Sequence, residues 1–143
     1  MKTALNIKVN LFSPRLGSIK NGIHEGRGVQ TWKDGTKYDG DWKNNLPHGF
    51  GRFIDLDGNI YEGNWENGQA SGLGKYIKTD GLQYEGQWQH DLQHGKGVEK
   101  WPNGDVYDGD YVYGDRHGRG VFIATDATKY DGQWFQNKIE GVV

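Results

Sequence analysis

The sequence has no cysteine and only three prolines and one methionine among its 143 residues. Without cysteine there is no disulfide framework, no thiolate nucleophile and no thiolate metal ligand. Hydrophobic residues reach only 34%, which is low for a globular domain. No apolar run approaches the ~20 residues that span a bilayer. The composition therefore argues against an ordinary aliphatic core and against a transmembrane helix.

Positive charge is concentrated at the start of the chain and is scarce elsewhere. The chain has a net charge of −2, and residues 1–28 carry +4, which leaves −6 for the remainder. The charged residues of this first stretch are Lys2, Lys8, Arg15, Lys20, Glu25 and Arg27. A mildly acidic body is poorly suited to phosphate backbones, so we expect no nucleic-acid partner. The basic stretch leaves open a weak contact of residues 1–28 with anionic lipid.

Glycine and aromatic residues are plentiful, and they recur with a fixed period. A Tyr-x-Gly-x-Trp stretch begins at Tyr38 and is followed by His48-Gly49-Phe50-Gly51, and the tyrosine then returns every 23 residues. A fixed period of this length indicates a repeat array. The predicted units are a degenerate repeat at 15–37, full repeats at 38–60, 61–83, 84–106 and 107–129, and a truncated repeat at 130–143.

The N-terminal stretch, residues 1–14, has a different pattern. Residues 4–12 alternate between apolar and polar, with Leu5, Ile7, Val9 and Leu11 on one side. This period of two is typical of a half-buried strand, and Pro14 ends it. We expect residues 1–14 to form a strand that caps the N-terminal edge of the array.

Each repeat reads as a β-hairpin. Tyr38, Gly40 and Trp42 share one strand face, and Asn44 to Pro47 is the predicted turn. Pairing Lys43 with His48 would place Trp42 opposite Gly49, Gly40 opposite Gly51 and Tyr38 opposite Phe53. Large rings would then lie across from glycines.

A second turn joins successive hairpins at the dipeptides Asp34-Gly35, Asp57-Gly58, Asp80-Gly81 and Asn103-Gly104. Keeping the aromatic residues on one face requires an odd loop, so we expect three or five residues with the glycine at positive φ. The last copy, Asp126-Ala127, lacks the residue that adopts this conformation freely.

These patterns predict an all-β chain: an elongated, twisted, single-layer antiparallel sheet of roughly ten short strands. With no second layer to cover it, the aromatic face should form a groove of exposed rings, and large exposed apolar surfaces mark binding sites. The candidate partner-binding residues are Tyr38, Trp42, Tyr61, Trp65, Tyr84, Trp88, Tyr107, Tyr111, Tyr130 and Trp134.

Tyr-x-Gly-x-Trp, then Gly-x-Gly, then Asp-Gly, in units of this length, resembles the MORN repeat (membrane occupation and recognition nexus) from Gly17 to Gly141. The resemblance implies a sheet of hairpins with an aromatic-lined groove. Proteins with such repeats occur in ciliary radial spokes, membrane contacts, parasite cytoskeletal scaffolds and myosin-tail adaptors, and beside phosphoinositide kinases. The chain departs from the pattern at Tyr111, where the repeat has tryptophan, and at Glu25, Ser71 and Glu140, where other copies have histidine.

Other candidate motifs have simpler interpretations. His48, His94 and His117 occupy equivalent positions, and equivalent atoms of adjacent hairpins should lie about 10 Å apart, too far to share one zinc ion, so we expect a hydrogen-bonding role. Residues 55–59 faintly resemble a calcium loop but lack EF-hand spacing. The acidic row of Asp39, Glu62, Glu85, Asp108 and Asp131 lies opposite the rings as a solvated face or a docking surface for a basic partner. We therefore expect no catalytic residue, no metal site and no cofactor.

The leading hypothesis is a non-enzymatic scaffold that holds a partner peptide or helix in its aromatic groove. The expected setting is a larger cytoskeletal or ciliary (axonemal) assembly in the cytoplasm. One alternative is a peripheral module for anionic membranes. Another is a regulatory segment of a larger enzyme of the phosphoinositide-kinase type.

Overall fold

The computed structural model describes residues 16–20 and 23–140, with side chains from Glu25 onward. Twelve strands follow one another in this part of the chain, and no helix interrupts them. The strands are β1 (Leu16–Lys20), β2 (Ile23–Thr31), β3 (Lys37–Lys43), β4 (Leu46–Ile54), β5 (Ile60–Glu66), β6 (Gln69–Ile77), β7 (Gln83–Gln89), β8 (Leu92–Lys100), β9 (Val106–Val112), β10 (Asp115–Ile123), β11 (Lys129–Phe135) and β12 (Lys138–Ile139).

All twelve strands form one open antiparallel sheet in which spatial order equals sequence order. This confirms the predicted all-β hairpin array, with twelve strands in place of roughly ten. The predicted cap strand at residues 1–14 lies outside the described residues. The degenerate first repeat keeps the register of its neighbours, because Gly17 pairs with Gly28 as Gly40 pairs with Gly51.

Two-residue turns close the hairpins from β3 onward. Asn44 and Asn45 have φ of 51° and 68°, so both lie in the left-handed region that this hairpin turn requires. β4 therefore begins at Leu46, and the predicted turn from Asn44 to Pro47 was too long. Asparagine tolerates this conformation better than most residues, which is why the shorter turn forms here.

The shorter turn also corrects the predicted pairing within the hairpin. Tyr38 pairs with Phe53 and Gly40 with Gly51, as expected, but Trp42 pairs with Pro47 rather than with Gly49. The extra residues of β4 form a bulge at Gly49, whose φ is +100°. A glycine is needed there because other residues rarely adopt that angle.

Five-residue turns connect one hairpin to the next, for example residues 55–59 between β4 and β5. The fourth residue of these turns is a glycine at φ of 89–99° in four copies, which confirms the predicted loop length and the predicted positive φ. Ala127 takes the same place in the last copy, with φ of 71°.

Candidate functional site: the ring row and the opposite face

The ten candidate residues from Tyr38 to Trp134, here called the ring row, lie on one face of the sheet. Tyr38 meets Trp42 and Trp65 edge to face, with ring centroids 5.1 and 5.2 Å apart. Tyr61 does the same between Trp65 and Trp88, at 5.1 and 5.2 Å. This geometry suits the quadrupoles of aromatic rings, and it repeats along the array.

Four tyrosines of the ring row each lie over a glycine pair: Tyr38, Tyr61, Tyr84 and Tyr107. The Tyr38 hydroxyl donates a hydrogen bond to the backbone oxygen of Asp41 at 2.9 Å. A Cβ on Gly51 would overlap that hydroxyl, and a Cβ on Gly40 would overlap the backbone of Gly51. The glycines are therefore required by the tyrosine that covers them. Burial raises the pKa of Tyr38 far above its ordinary value, so the phenol stays protonated.

The tryptophans connect neighbouring hairpins. The Nε1–H of Trp65 donates to the backbone oxygen of Gly51 at 3.0 Å, and Trp88 donates to Gly74 at 3.0 Å. Each indole N–H thus has a hydrogen-bond acceptor on the preceding strand, while the indole ring packs between two tyrosines. One residue serves both as core and as a link between repeats.

The rings do not form an open groove. Nine of the ten candidate residues are no more than 7% exposed, and Tyr130 is half-buried. The expectation of a large exposed aromatic surface was therefore wrong, because tyrosines and tryptophans cover one another edge to face. The ring row is the core of the array, and its contact with a partner stays a prediction.

A buried ionic cluster that was not predicted joins the last three repeats. Glu99 Oε1 lies 3.4 Å from Arg116 Nε and accepts the Tyr111 hydroxyl at 2.5 Å. Arg116 also lies over the Trp101 ring at 5.1 Å and donates from Nη1 to Asn137 Oδ1 at 3.0 Å. Aligning the repeats could have revealed this cluster, because Glu99 occupies the position held by aromatic residues in the repeats on either side.

Histidines at equivalent positions cap the next two-residue turn. Each Nδ1 accepts the backbone N–H of the residue 19 positions later, at 3.1–3.3 Å: His48 from Asn67, His94 from Tyr113 and His117 from Gln136. Glu25 accepts the N–H of Asn44 in the same way at 3.1 Å. This agrees with the hydrogen-bonding role predicted for the histidines.

The candidate calcium loop at residues 55–59 is the turn between two hairpins. The Asp55 carboxylate accepts the backbone N–H groups of Asp57 and Asn59, both at 2.9 Å. Within residues 16–20 and 23–140, no three His, Asp or Glu side chains gather as a metal site would require. No helix in the same residues is long and apolar enough to cross a membrane.

The comparison with protein families agrees with this hairpin geometry. A model described as the MORN repeat matches residues 17–37, 38–60, 61–83, 84–106, 107–128 and 130–142. The chain belongs to the MORN-repeat family. A search among curated proteins returned no match. Arrays of MORN repeats are typically non-catalytic and are often modules for protein or membrane interactions.

The face of the MORN array opposite the rings is the accessible one. Its acidic row is partly paired with cations: Asp39 with Arg27 at 3.5 Å, Glu62 with Arg52 at 3.7 Å and Asp131 with Arg119 at 2.9 Å. These pairs are exposed and contribute little to stability individually. They make this face mixed in charge, and its role as a docking surface for a basic partner stays a prediction.

A cleft of about 440 Å³ crosses this opposite face at its centre. We call it the central cleft, and the side chains that line it are Phe50, Glu62, Asn64, Leu73, Lys75 and Glu85. Phe50 is 49% exposed and Leu73 is 63% exposed. None of these residues was among the predicted partner-binding residues, although strand alternation places all of them on this face.

Proposed function

We propose that the chain is a non-enzymatic scaffold that binds a segment of a partner protein on its MORN sheet. The observation that carries this proposal is the asymmetry of the sheet: one face is closed by its own rings, and the other keeps exposed apolar side chains and a cleft. A single layer with an accessible apolar face offers a binding surface without catalytic machinery.

The setting of this scaffold follows from the family resemblance. We propose a cytoplasmic array that is one subunit of a larger cytoskeletal or ciliary assembly. The ring row remains the site that the sequence proposed, and its burial means that a partner would reach it only at its edges or after rearrangement. The opposite face requires no such rearrangement.

The experiment separates the two faces. The tagged chain is used to isolate a partner, which is identified by mass spectrometry and produced separately for affinity measurement. Trp65→Ala and Trp88→Ala test the ring row, and Glu62→Ala and Glu85→Ala test the opposite face. Circular dichroism must show a retained sheet, since removing a buried indole costs ~3–5 kcal/mol of stability.

The scaffold proposal predicts a reproducible partner whose affinity falls with substitutions on one face. A purified chain that binds no identified partner directly would contradict it. A loss of affinity confined to the folded tryptophan variants would restore the ring row as the contact.

A further inference from the structure

Phe50 and Leu73 are apolar at positions where the same array elsewhere carries cations. Counting by the repeat period, the equivalent positions in other repeats are Arg27, Lys96 and Arg119. The fold therefore does not require an apolar residue here. Two large exposed apolar side chains in neighbouring repeats, with nothing in the repeat to demand them, point to contact with another molecule.

Two of those cations pair with an acid of the acidic row that is kept beside Phe50 and Leu73, whereas Lys96 pairs with Asp110, whose equivalents are Asn64 and Gln87. Arg27 reaches Asp39 and Arg119 reaches Asp131, in each case the acid of the acidic row on the next strand. The corresponding acids for Phe50 and Leu73 are Glu62 and Glu85, and both line the central cleft. The cleft thus combines two apolar side chains with two carboxylates whose cation of the other repeats is replaced; Glu62 keeps an exposed contact with Arg52 at 3.7 Å, and Lys75 also lines the cleft.

The distance between the two apolar side chains indicates which secondary structure a bound partner segment would have. Phe50 lies on β4 and Leu73 on β6, so they are two strand spacings apart, about 9.6 Å. Residues i and i+7 of a helix are about 10.5 Å apart on one face. Same-face residues of an extended peptide are about 6.6 or 13 Å apart, so a helix fits better than a strand.

We propose that the central cleft binds an amphipathic helix of a partner protein. The helix lays two apolar residues, seven apart, over Phe50 and Leu73, and places lysine or arginine side chains beside Glu62 and Glu85. This inference rests on the proposed scaffold function and adds the binding face and the chemistry of the partner.

The test uses substitutions that the array itself already contains. Phe50→Arg and Leu73→Lys reproduce the residues of the other repeats, and Glu62 or Glu85 then lies where the new cation can pair. These variants should keep the fold. Leu56→Lys is the matched control, because Leu56 is 66% exposed in the β4–β5 turn and Lys33 holds the equivalent position.

The probe is a phage-displayed library of random peptides of about 16 residues, long enough to extend a helix beyond both members of a pair seven apart. The full chain is the bait, and the double variant Phe50→Arg/Leu73→Lys is used for counter-selection. Selected peptides are synthesised, and their affinities are measured by fluorescence polarisation with all variants.

Enriched peptides should be net positive with apolar residues seven apart, and helical when bound. Leu73→Lys should weaken them by about tenfold or more, as hot-spot substitutions do, and Leu56→Lys by less than about twofold. Thermal melts confirm that each variant is folded.

Peptides that bind equally well to the double variant would overturn this inference and leave the scaffold proposal standing. Acidic selected peptides would overturn it as well, and so would a Leu73-dependent self-association in sedimentation or a Leu73-dependent binding to anionic vesicles. No selected peptide at all would overturn this inference, whereas the scaffold proposal is decided by the separate partner isolation.

Discussion

At the scale of single residues, a backbone angle decides which amino acids the five-residue turns accept. Four copies place glycine at this position, and Ala127 alone places a side chain there, at φ of 71°. The left-handed region costs a residue with Cβ about 1–2 kcal/mol. The turn still forms, because the strands on both sides hold it in place.

Ala127→Gly should therefore stabilise the chain. The gain in the folded state is offset in part by the larger entropy of glycine in the unfolded chain, about 0.4–1 kcal/mol, so we expect a net gain of about 0.5–1 kcal/mol. The measurement is the free energy of unfolding in urea. Gly104→Ala is the reverse control and should destabilise, since the Thr125 methyl crowds the added Cβ. Equal stability of both variants with the native chain would contradict this reading of the turns.

Asp91 is a second unfavourable residue, because it is an acidic side chain in a half-buried turn. It occupies a two-residue turn at φ of 66°, and its carboxylate accepts the Ala70 N–H at 2.7 Å. Burial raises the pKa of this carboxyl to about 6, although the Ala70 hydrogen bond and His90 act in the opposite direction. Asn137 fills the equivalent position and accepts the Arg116 N–H at 2.8 Å without a charge.

The pH dependence follows from that raised pKa. Above about pH 6 the carboxyl is charged in both the folded and the unfolded chain, and its burial destabilises the folded one. Below the ordinary pKa of 3.8 it is neutral in both, so this cost disappears. The contribution of Asp91 to stability should thus rise as pH falls from 7 to 4. Asp91→Asn should stabilise by about 1 kcal/mol at pH 7, after allowance for solvent screening, and by nothing at pH 4. Urea unfolding at both values checks this, and a gain of equal size at pH 4 would contradict it.

At the scale of strands and hairpins, much of the structure was predictable because the period is strict. The pairing of Tyr38 with Phe53 and the five-residue turns follow from face alternation and the Asp-Gly dipeptides. The bulge at Gly49 was not predicted, since no turn dipeptide marks this glycine for a positive φ as Asp-Gly marks those of the five-residue turns. The burial of the rings was also missed, because edge-to-face packing between repeats depends on three-dimensional spacing that a face pattern does not contain.

At Glu99 a charged side chain stands where the neighbouring repeats have an aromatic one. Glu99→Gln should destabilise by about 3 kcal/mol, because it leaves the Arg116 guanidinium buried without its carboxylate. Glu99→Phe with Arg116→Ala installs the equivalent pair from two repeats earlier, Phe53 and Ala70. This double variant should recover most or all of the stability, since buried ion pairs are replaceable by well-packed apolar groups. Unfolding free energies of the single and double variants test this, and additive losses would contradict it.

At the scale of the whole molecule, charge is distributed unevenly along the chain. Residues 1–28 carry +4 against −6 for the rest. Any binding to anionic liposomes should therefore be weak, depend on this stretch and collapse as salt rises. Flotation assays with Lys2, Lys8, Arg15 and Lys20 neutralised should show no binding. Salt-resistant binding by residues 29–143 alone would contradict this prediction.

The array has its hydrophobic core on one face of the sheet and leaves the other face accessible. Rings and glycines on one face hold the hairpins in register, which frees the other face for contacts. The two faces can be observed separately by NMR, since Leu73 methyl groups report on the central cleft and the Trp65 and Trp88 indole N–H groups report on the ring row.

The most direct measurement is therefore a set of intermolecular NOEs in the complex of the intact chain with its purified partner. We expect NOEs from the partner to the Leu73 methyl groups and to the Phe50 ring, and none to the indole N–H groups of Trp65 and Trp88. NOEs to those indoles, with none to Leu73, would contradict this expectation and would place the partner on the ring row.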